Sequence, residues 1–394
     1  MRAVLIAAIT VAACEVINGQ RFGRGRFGRF DNYYYQSEPV DASGNAIRAN
    51  RPIGSFDKLS FATIGEVVIN VGPSTGSLEM EVDSAWEDFV VTEVEGDGTL
   101  RIYFREGYYP RCYGPDFHFD NRRCVNRIRV QTSSLTAVAV SGPGNVRMES
   151  GGRFDVDSFR FHSSGPGNAQ LNVVARQSFT SVMSGPGNLQ LRGSTDNLEV
   201  SSTGPGMFEG AEFVANSLNC RITGPGYVTT RLEGQGTVIG RLNGPGQLRL
   251  SGQADRAEYS VTGPGGVYAE NLETNTVTAD VLSVGNVRVY AKERLSGTIT
   301  GPGGIFYRGD PEVDVRRSTF LGTVARIGDG GDRGRIGDDD DGGPFLPFPN
   351  PPQVPTFPPG FPFNNRGRRN NGPPQPARFR GFGGIMQQQW NVFE

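Results

Sequence analysis

Few residues in this chain combine the type and the spacing that chemistry requires. Among 394 residues there are 2 histidines, His118 and His162, and 4 cysteines. Cys112 and Cys124 stand with 11 residues between them, inside a stretch rich in Tyr, Phe and Arg. Two chemistries suit the pair. One is a disulfide closing a surface loop, which stabilises by about 3 kcal/mol on the chain-entropy account. The other is a metal site with His118, which would need further ligands at suitable spacing. The disulfide is the expectation. Cys220 lies among alternating apolar residues with no histidine or acid beside it in sequence. That is the setting of a buried thiol serving as a small hydrophobe.

A second chemistry to look for is cleavage of a polysaccharide, which needs clustered acids, or a base with Arg or Lys, on one face. The positions to inspect are set by a recurring tripeptide. Gly-Pro-Gly begins at Gly142, Gly165, Gly185, Gly204, Gly224, Gly244, Gly263 and Gly301, and Ser283-Val284-Gly285 is a degenerate copy. The third residue after each copy reads Arg147, Gln170, Gln190, Glu209, Thr229, Arg249, Tyr268, Arg288 and Phe306. This is a mixed surface without an acid cluster. The tripeptide itself is no phosphate cradle, because that motif occurs once, between a strand and a helix. No catalytic, cofactor-binding or metal-ligating residue is expected.

The elements that carry these positions follow from the spacing. After a first interval of 23 residues the copies recur every 18–20, the signature of a solenoid built from stacked coils. The second residue after each copy is Val146, Ala169, Leu189, Phe208, Val228, Leu248, Val267, Val287 or Ile305, always apolar. Before the tripeptide, runs such as Leu198/Val200 and Leu218/Cys220/Ile222 alternate with polar residues. Period-two alternation means strands with one face inward. The fold class predicted is all-β, a right-handed parallel β-helix, the hand following the crossover rule for parallel strands. Proline cannot donate to an inter-coil ladder and belongs at a corner. Glycine is expected there for its access to positive φ.

Taken in order, the chain opens on a targeting segment, residues 1–20, whose apolar run Ala3–Ala13 is too short to span a bilayer. Val11-Ala12-Ala13-Cys14 also matches a lipobox that would lipidate Cys14, against cleavage near Gly19 or Gln20. Residues 21–52, opening on the Arg/Phe/Gly-rich run Arg21–Phe30, are read as a disordered linker. The solenoid is placed at 53–325, its first strands (66–72, 77–83, 88–95 and 99–105) forming irregular coils that cap one end. Residues 326–394 hold a four-Asp run, then proline- and arginine-rich stretches, and are read as a disordered tail.

The region from about Ile53 to Val315 resembles the autotransporter adhesin head GIN domain family. The likeness rests on Gly54-Ser55-Phe56-Asp57-Lys58-Leu59, on the repeated Ser-Gly-x-Gly turns, and on the closing run Ile305-Phe306-Tyr307-Arg308-Gly309-Asp310-Pro311. Proline stands where the family more usually has serine in the turn. The resemblance implies a secreted or surface β-helical protein and supplies no catalytic residues.

With a net charge of −2, the chain is no whole-domain nucleic-acid binder. No membrane span and no cofactor are expected. The expected function is a non-enzymatic secreted, extracellular or cell-surface scaffold or adhesin, with a matrix or surface polymer (protein or glycan) as partner. The alternative is a β-helical polysaccharide-binding or polysaccharide-degrading enzyme. A flat ice-, mineral- or glycan-binding face was the third possibility. Ser141, Ser164, Ser184, Thr203, Thr223, Asn243, Thr262 and Thr300 precede the tripeptides, but His162, Arg221, Arg241 and Asp280 interrupt the next register. The hydroxyls are therefore expected to serve the corner locally.

Overall fold

The structure, a computed structural model, describes residues 37–73, 76–112, 125–318 and 321–328. Among them there are strands and no helix. The N-terminal part contributes β1 (Glu38–Asp41), β2 (Ala46–Pro52), β3 (Lys58–Ala62), β4 (Glu66–Val71), β5 (Ser77–Asp83), β6 (Val90–Val94), β7 (Thr99–Phe104), β8 (Tyr108–Arg111) and β9 (Asn126–Thr132). The repeats contribute β10 (Ala137–Val140), β11 (Asn145–Met148), β12 (Phe154–Ser163), β13 (Ala169–Met183), β14 (Leu189–Ser202), β15 (Met207–Ile222), β16 (Tyr227–Leu232), β17 (Thr237–Leu242), β18 (Gln247–Val261), β19 (Gly266–Val281) and β20 (Asn286–Ile299). β21 (Gly304–Arg308), β22 (Glu312–Arg317) and β23 (Thr323–Arg326) complete the stack.

Period-two alternation does what it predicts. Strands of the repeats pair in parallel with the coil before and the coil after, so equivalent residues form columns. All nine apolar positions that follow the tripeptides are buried at 1% exposure or less. A second inward column runs Val138, Phe161, Ser181, Val200, Cys220, Gly240, Tyr259, Ala279 and Gly297. Side-chain volume is balanced along it. A Cβ on Gly240 would come within 2.9 Å of the Tyr259 ring, so the glycine makes room for the tyrosine. In a third column Phe159 stacks on Phe179 with ring centroids 5.3 Å apart, and Phe213, from another column, meets Phe179 edge-on at 5.4 Å.

The corners correct one expectation. None of the glycines of the eight Gly-Pro-Gly copies adopts a positive φ. Both glycines of each copy are buried, the proline between them is exposed, and the corners stack directly on one another. A Cβ on Gly185 would lie 2.5 Å from the carbonyl oxygen of Gly165, and every other glycine of the copies meets neighbouring atoms at under 3.0 Å. Glycine is required here for close approach of backbone to backbone, not for a left-handed turn. The ladder continues through the corner: Ser184 N donates to Ser163 O at 2.8 Å and Gly187 N to Gly165 O at 3.2 Å. Proline occupies the one position between them whose N–H the ladder does not use. Left-handed glycines occur elsewhere, as at Gly193 and Gly252 inside β14 and β18, with φ of 113° and 103°.

The N-terminal end differs from a simple run of early coils. β3 pairs with β7 on one side and β10 on the other, while β4 lies between β9 and β11. Residues 58–71 are thus a coil sandwiched between two segments that come later in sequence. Beneath them the pairing turns antiparallel, β5 joining β2 and β9, and β6 joining β7. Residues 38–52, expected within a disordered linker, instead form β1 and β2. Their own pattern is weak because the order comes from partners. β2 pairs with β5 along its length, Trp86 Nε1 donates to Val40 O at 2.9 Å, and the buried Asp83 carboxylate accepts from Ser43 N and Gly44 N at 2.9 and 2.8 Å.

Cys112 is buried, and Cys220 is a fully buried free thiol. Cys124 and His118 lie outside the described residues, as do the targeting segment with Cys14, the Arg/Phe/Gly run and the tail from 329 onward.

Three outcomes follow. Gly185→Ala should cost about 2–3 kcal/mol from overpacking, whereas Pro186→Ala, exposed at the same corner, should cost less than about 1 kcal/mol; equal losses in denaturant melts would remove the close-approach account. Leu218→Asp should abolish folding by burying an unpaired charge, while Asn188→Asp keeps the acceptor that takes the Met207 N–H and should melt near the parent. Mass mapping without reduction should recover a Cys112–Cys124 peptide and a free Cys220; a bridge to Cys220 would contradict its buried register.

Candidate functional site: the outer face after each corner

In each coil the residue three places beyond the tripeptide points outward, as does the residue one place beyond it except at the buried Gly266 and Gly304, because the residue between the two positions is buried. Stacking turns those two positions into continuous columns. At the N-terminal end Glu66 accepts from Arg127 and Arg147. Burial raises its pKa, but hydrogen bonds from Arg147 and then Arg127 outweigh that and hold the carboxyl below its ordinary value. Next comes an amide ladder. Asn168 N and Nδ2 donate to Asn145 Oδ1 at 3.1 and 3.0 Å, Asn188 N to Asn168 Oδ1 at 3.1 Å, and Met207 N to Asn188 Oδ1 at 3.0 Å. Beside it Gln170 Nε2 donates to Gln190 Oε1, and Gln190 Nε2 to Glu209 Oε2, both at 2.9 Å.

Gln170, Gln190 and Glu209 line a polar groove of about 380 Å³, walled by the turn Glu149–Gly152 and by Asn172 and Arg192. Asn172 Nδ2 ties the wall down by donating to Gly152 O at 2.9 Å. Two of its three acids are engaged by neighbours, Glu209 by Gln190 and Glu212 by Arg192 at 3.0 Å; the third is Glu149.

Toward the C-terminal end the same columns become aromatic and cationic. The Arg249 guanidinium lies 5.2 Å from the ring centroids of both Tyr227 and Tyr268. Arg288 lies 6.0 Å from Tyr268 and 5.8 Å from Phe306. Each cation faces two aromatic rings, and such contacts contribute roughly 0.5–1 kcal/mol when exposed. Neither arginine has a carboxylate partner among the described residues. A second pocket, of about 330 Å³, opens here between Thr229, Arg249, Ser251, Tyr268, Glu270 and Asn271.

Both depressions sit at breaks in register. β14 and β15 slip between Gln190/Glu209 and Arg192/Glu212. β18 and β19 slip between Arg249/Tyr268 and Ser251/Asn271, and Glu270–Leu272 have no counterpart in β20. A bulge of this kind re-aims side chains out of the ladder.

The column named from sequence thus forms one face, as expected. Its interleaving with Tyr227, and the bulge residues Ser251, Glu270 and Asn271, were not foreseen. A signal for the first existed, since Arg249, Tyr268, Arg288 and Phe306 alternate cation and ring at coil spacing. The hydroxyl positions before the tripeptides are exposed, and some serve the corner: Thr262 Oγ1 donates to Asn243 Oδ1 at 3.0 Å and Ser184 Oγ to Ser163 O at 3.4 Å. His162 is half-buried, and burial lowers its pKa. Among the described residues no group of three or more His, Cys, Asp and Glu side chains is placed to hold a metal ion, and no helix is long and apolar enough to cross a membrane.

Fold and columns define a β-solenoid protein that displays one polar face over about nine turns. The chain belongs to the family described as "Putative auto-transporter adhesin, head GIN domain", whose model matches residues 55–238 and 218–311. No curated protein matches it. Three solved structures are similar at low identity. A "putative lipid binding protein" from Parabacteroides distasonis is 21% identical, with 74% of this chain and 100% of that one covered, at a TM-score of 0.40. A "putative adhesin" from the same species is 18% identical with the same coverage and a TM-score of 0.43. Another, from Parabacteroides merdae, is 21% identical with the same coverage and a TM-score of 0.39.

Cys220, the free thiol among the described residues, gives a pH prediction. Burial pushes Cys220 from 9.0 up to about 12. Below about pH 9 the thiol is neutral in both folded and unfolded chains. Above it the unfolded thiol ionises and the buried one does not, so stability falls as pH rises from 9 toward 12. Cys220→Ala should flatten that part of the stability profile, and iodoacetamide should label native Cys220 only on unfolding. Rapid native labelling at pH 8 would contradict its burial.

Proposed function

We propose that this chain is a non-enzymatic, secreted or cell-surface protein that presents its solenoid to an extracellular polymer as an adhesive or scaffolding surface. The observation that carries the reading is the outer face, where amide, carboxylate, guanidinium and aromatic side chains recur once per coil, about 4.8 Å apart. An extended partner meets such a face with many weak contacts whose sum holds it. Family membership supports the same reading.

Two measurements test this. Surface labelling of intact cells, with and without protease shaving, should find the protein outside and lose it on shaving. Full-length protein passed over immobilised matrix polysaccharides and matrix proteins should be retained on at least one, without shortening any glycan. Turnover of a glycan would replace the adhesive reading with that of a polysaccharide-degrading enzyme.

A further inference from the structure

Toward the C-terminal end of the outer face five side chains form one ladder: Tyr227, Arg249, Tyr268, Arg288 and Phe306. Register sets its spacing. Tyr268 pairs with Arg249 of the coil before and with Arg288 of the coil after. The two arginines therefore stand two coils apart, about 9.6 Å at the spacing of hydrogen-bonded strands. Two glycines make room for the rings. Gly266 and Gly304 are buried, and a Cβ there would come within 3.0 Å of the Tyr268 ring and 2.6 Å of the Phe306 ring. Each ring leans across its glycine, and a side chain at either position would displace it.

Rings flank the cations, but their N–H groups remain on offer. Among the described residues the one acceptor that either side chain meets is Gln247 Oε1, 3.4 Å from Arg249 Nη2. Arg288 is exposed. Arg249 is half-buried: its Nε is closed to solvent, whereas Nη1, equally without an acceptor, is not. A guanidinium is a planar fork of donors that matches a carboxylate and stacks on aromatic rings. Here rings from the coils on either side hold both forks in place, so little side-chain freedom is left to lose when a partner binds.

We infer that this ladder is the contact site for an acidic polysaccharide, whose carboxylates pair with the Arg249 and Arg288 guanidiniums. The inference rests on the adhesive reading above and assigns it a ligand class and a site. Charge complementarity calls for an anion, and spacing selects the polymer. Duplex nucleic acid carries a charge about every 1.7 Å, so cations about 9.6 Å apart would leave most of its charges unmet, beside the Glu270 of the adjoining pocket. An extended peptide docks best on a free strand edge, and here β18, β19 and β20 each have a strand paired on both sides. A linear glycan needs no strand edge, and its widely spaced carboxylates suit a sparse row of cations. Each exposed ion pair contributes little, so retention depends on one chain meeting both arginines at once.

The test passes full-length protein over immobilised alginate, a uronate polymer, and over the same alginate with its carboxyls reduced to alcohols. Duplex DNA, polyglutamate and a matrix protein are the other surfaces. Arg249→Gln and Arg288→Gln each remove one cation, and Tyr268→Leu keeps both but removes the ring between them. Arg221→Gln, at an exposed arginine before the corner, makes the same charge change elsewhere and is the control. The arginine-rich stretches near the two ends of the sequence are the same in every variant, so differences between variants read the ladder. Expected is retention on alginate above every other surface. It should fall about threefold in each arginine variant and about tenfold in the two combined, fall in Tyr268→Leu, and stay unchanged in Arg221→Gln. In the parent protein, alginate should shield Arg288 but not Arg221 from phenylglyoxal, read by mass mapping, which requires no variant to fold. Equal retention on alginate by the Arg249, Arg288 and Arg221 variants, with Arg288 unshielded, would overturn the ladder while leaving the adhesive reading in place. So would retention on reduced alginate, DNA, polyglutamate or matrix protein in preference to alginate. Retention on none of these surfaces would end both.

Discussion

Everything in this molecule depends on two glycines per coil being small enough for the next coil to sit on them. At each corner the carbonyl of one turn occupies the space in which the Cβ of the next would stand. Parallel coils must lie about 4.8 Å apart for their ladders to form, and at the eight Gly-Pro-Gly corners that spacing leaves no volume for a side chain, while the degenerate corner admits only the small Ser283, whose Oγ donates to Gly263 O at 2.7 Å. The exposed proline between the glycines fixes φ where no donor is needed. Since each corner is set by the one beneath it, register passes from coil to coil, and it is this inheritance that aligns the core columns from Val138 to Gly297.

A core held in strict register directs irregularity outward. Inserted residues cannot be taken up between stacked apolar columns packed at crystal-like density, so they leave the ladder as bulges on the outer face. Both depressions on that face occur where β15 and β19 carry surplus residues. Chemistry and regularity therefore occupy the same coils without conflict. The amide ladder from Asn145 to Asn188 extends the backbone ladder sideways into side chains, and the Arg249/Arg288 ladder does the same with cations and rings.

Much of this was legible in sequence. The Gly-Pro-Gly period, the apolar residue two places on, and Cys220 in an inward register follow from alternation alone, and each is where that alternation puts it. Three things were hidden, each for a physical reason. The glycines' role was misjudged because a turn requirement and a crowding requirement choose the same residue. β1 and β2 were missed because a strand that takes its order from a partner's ladder, and from Asp83 and Trp86, need not carry its own apolar period. Glu270 and Asn271 were missed because a bulge is a mismatch between two strands, and neither strand alone reveals it.

The out-of-sequence coil bears on how the chain is made. Residues 58–71 emerge early in synthesis, yet one flank waits for residues up to 132 and the other for residues up to 148. Thr136 meets Asp57 across 79 residues, whereas regular coils join at about 20. By loop-closure entropy that fourfold longer span costs only about 1 kcal/mol, so the equilibrium scarcely registers it. Timing does. The earliest coil is a keystone set after its arch, and a chain synthesised from its N-terminus has to hold it open until later segments arrive. Order of emergence and order of assembly are uncoupled at this end alone, while beyond β10 each new coil finds its seat already built.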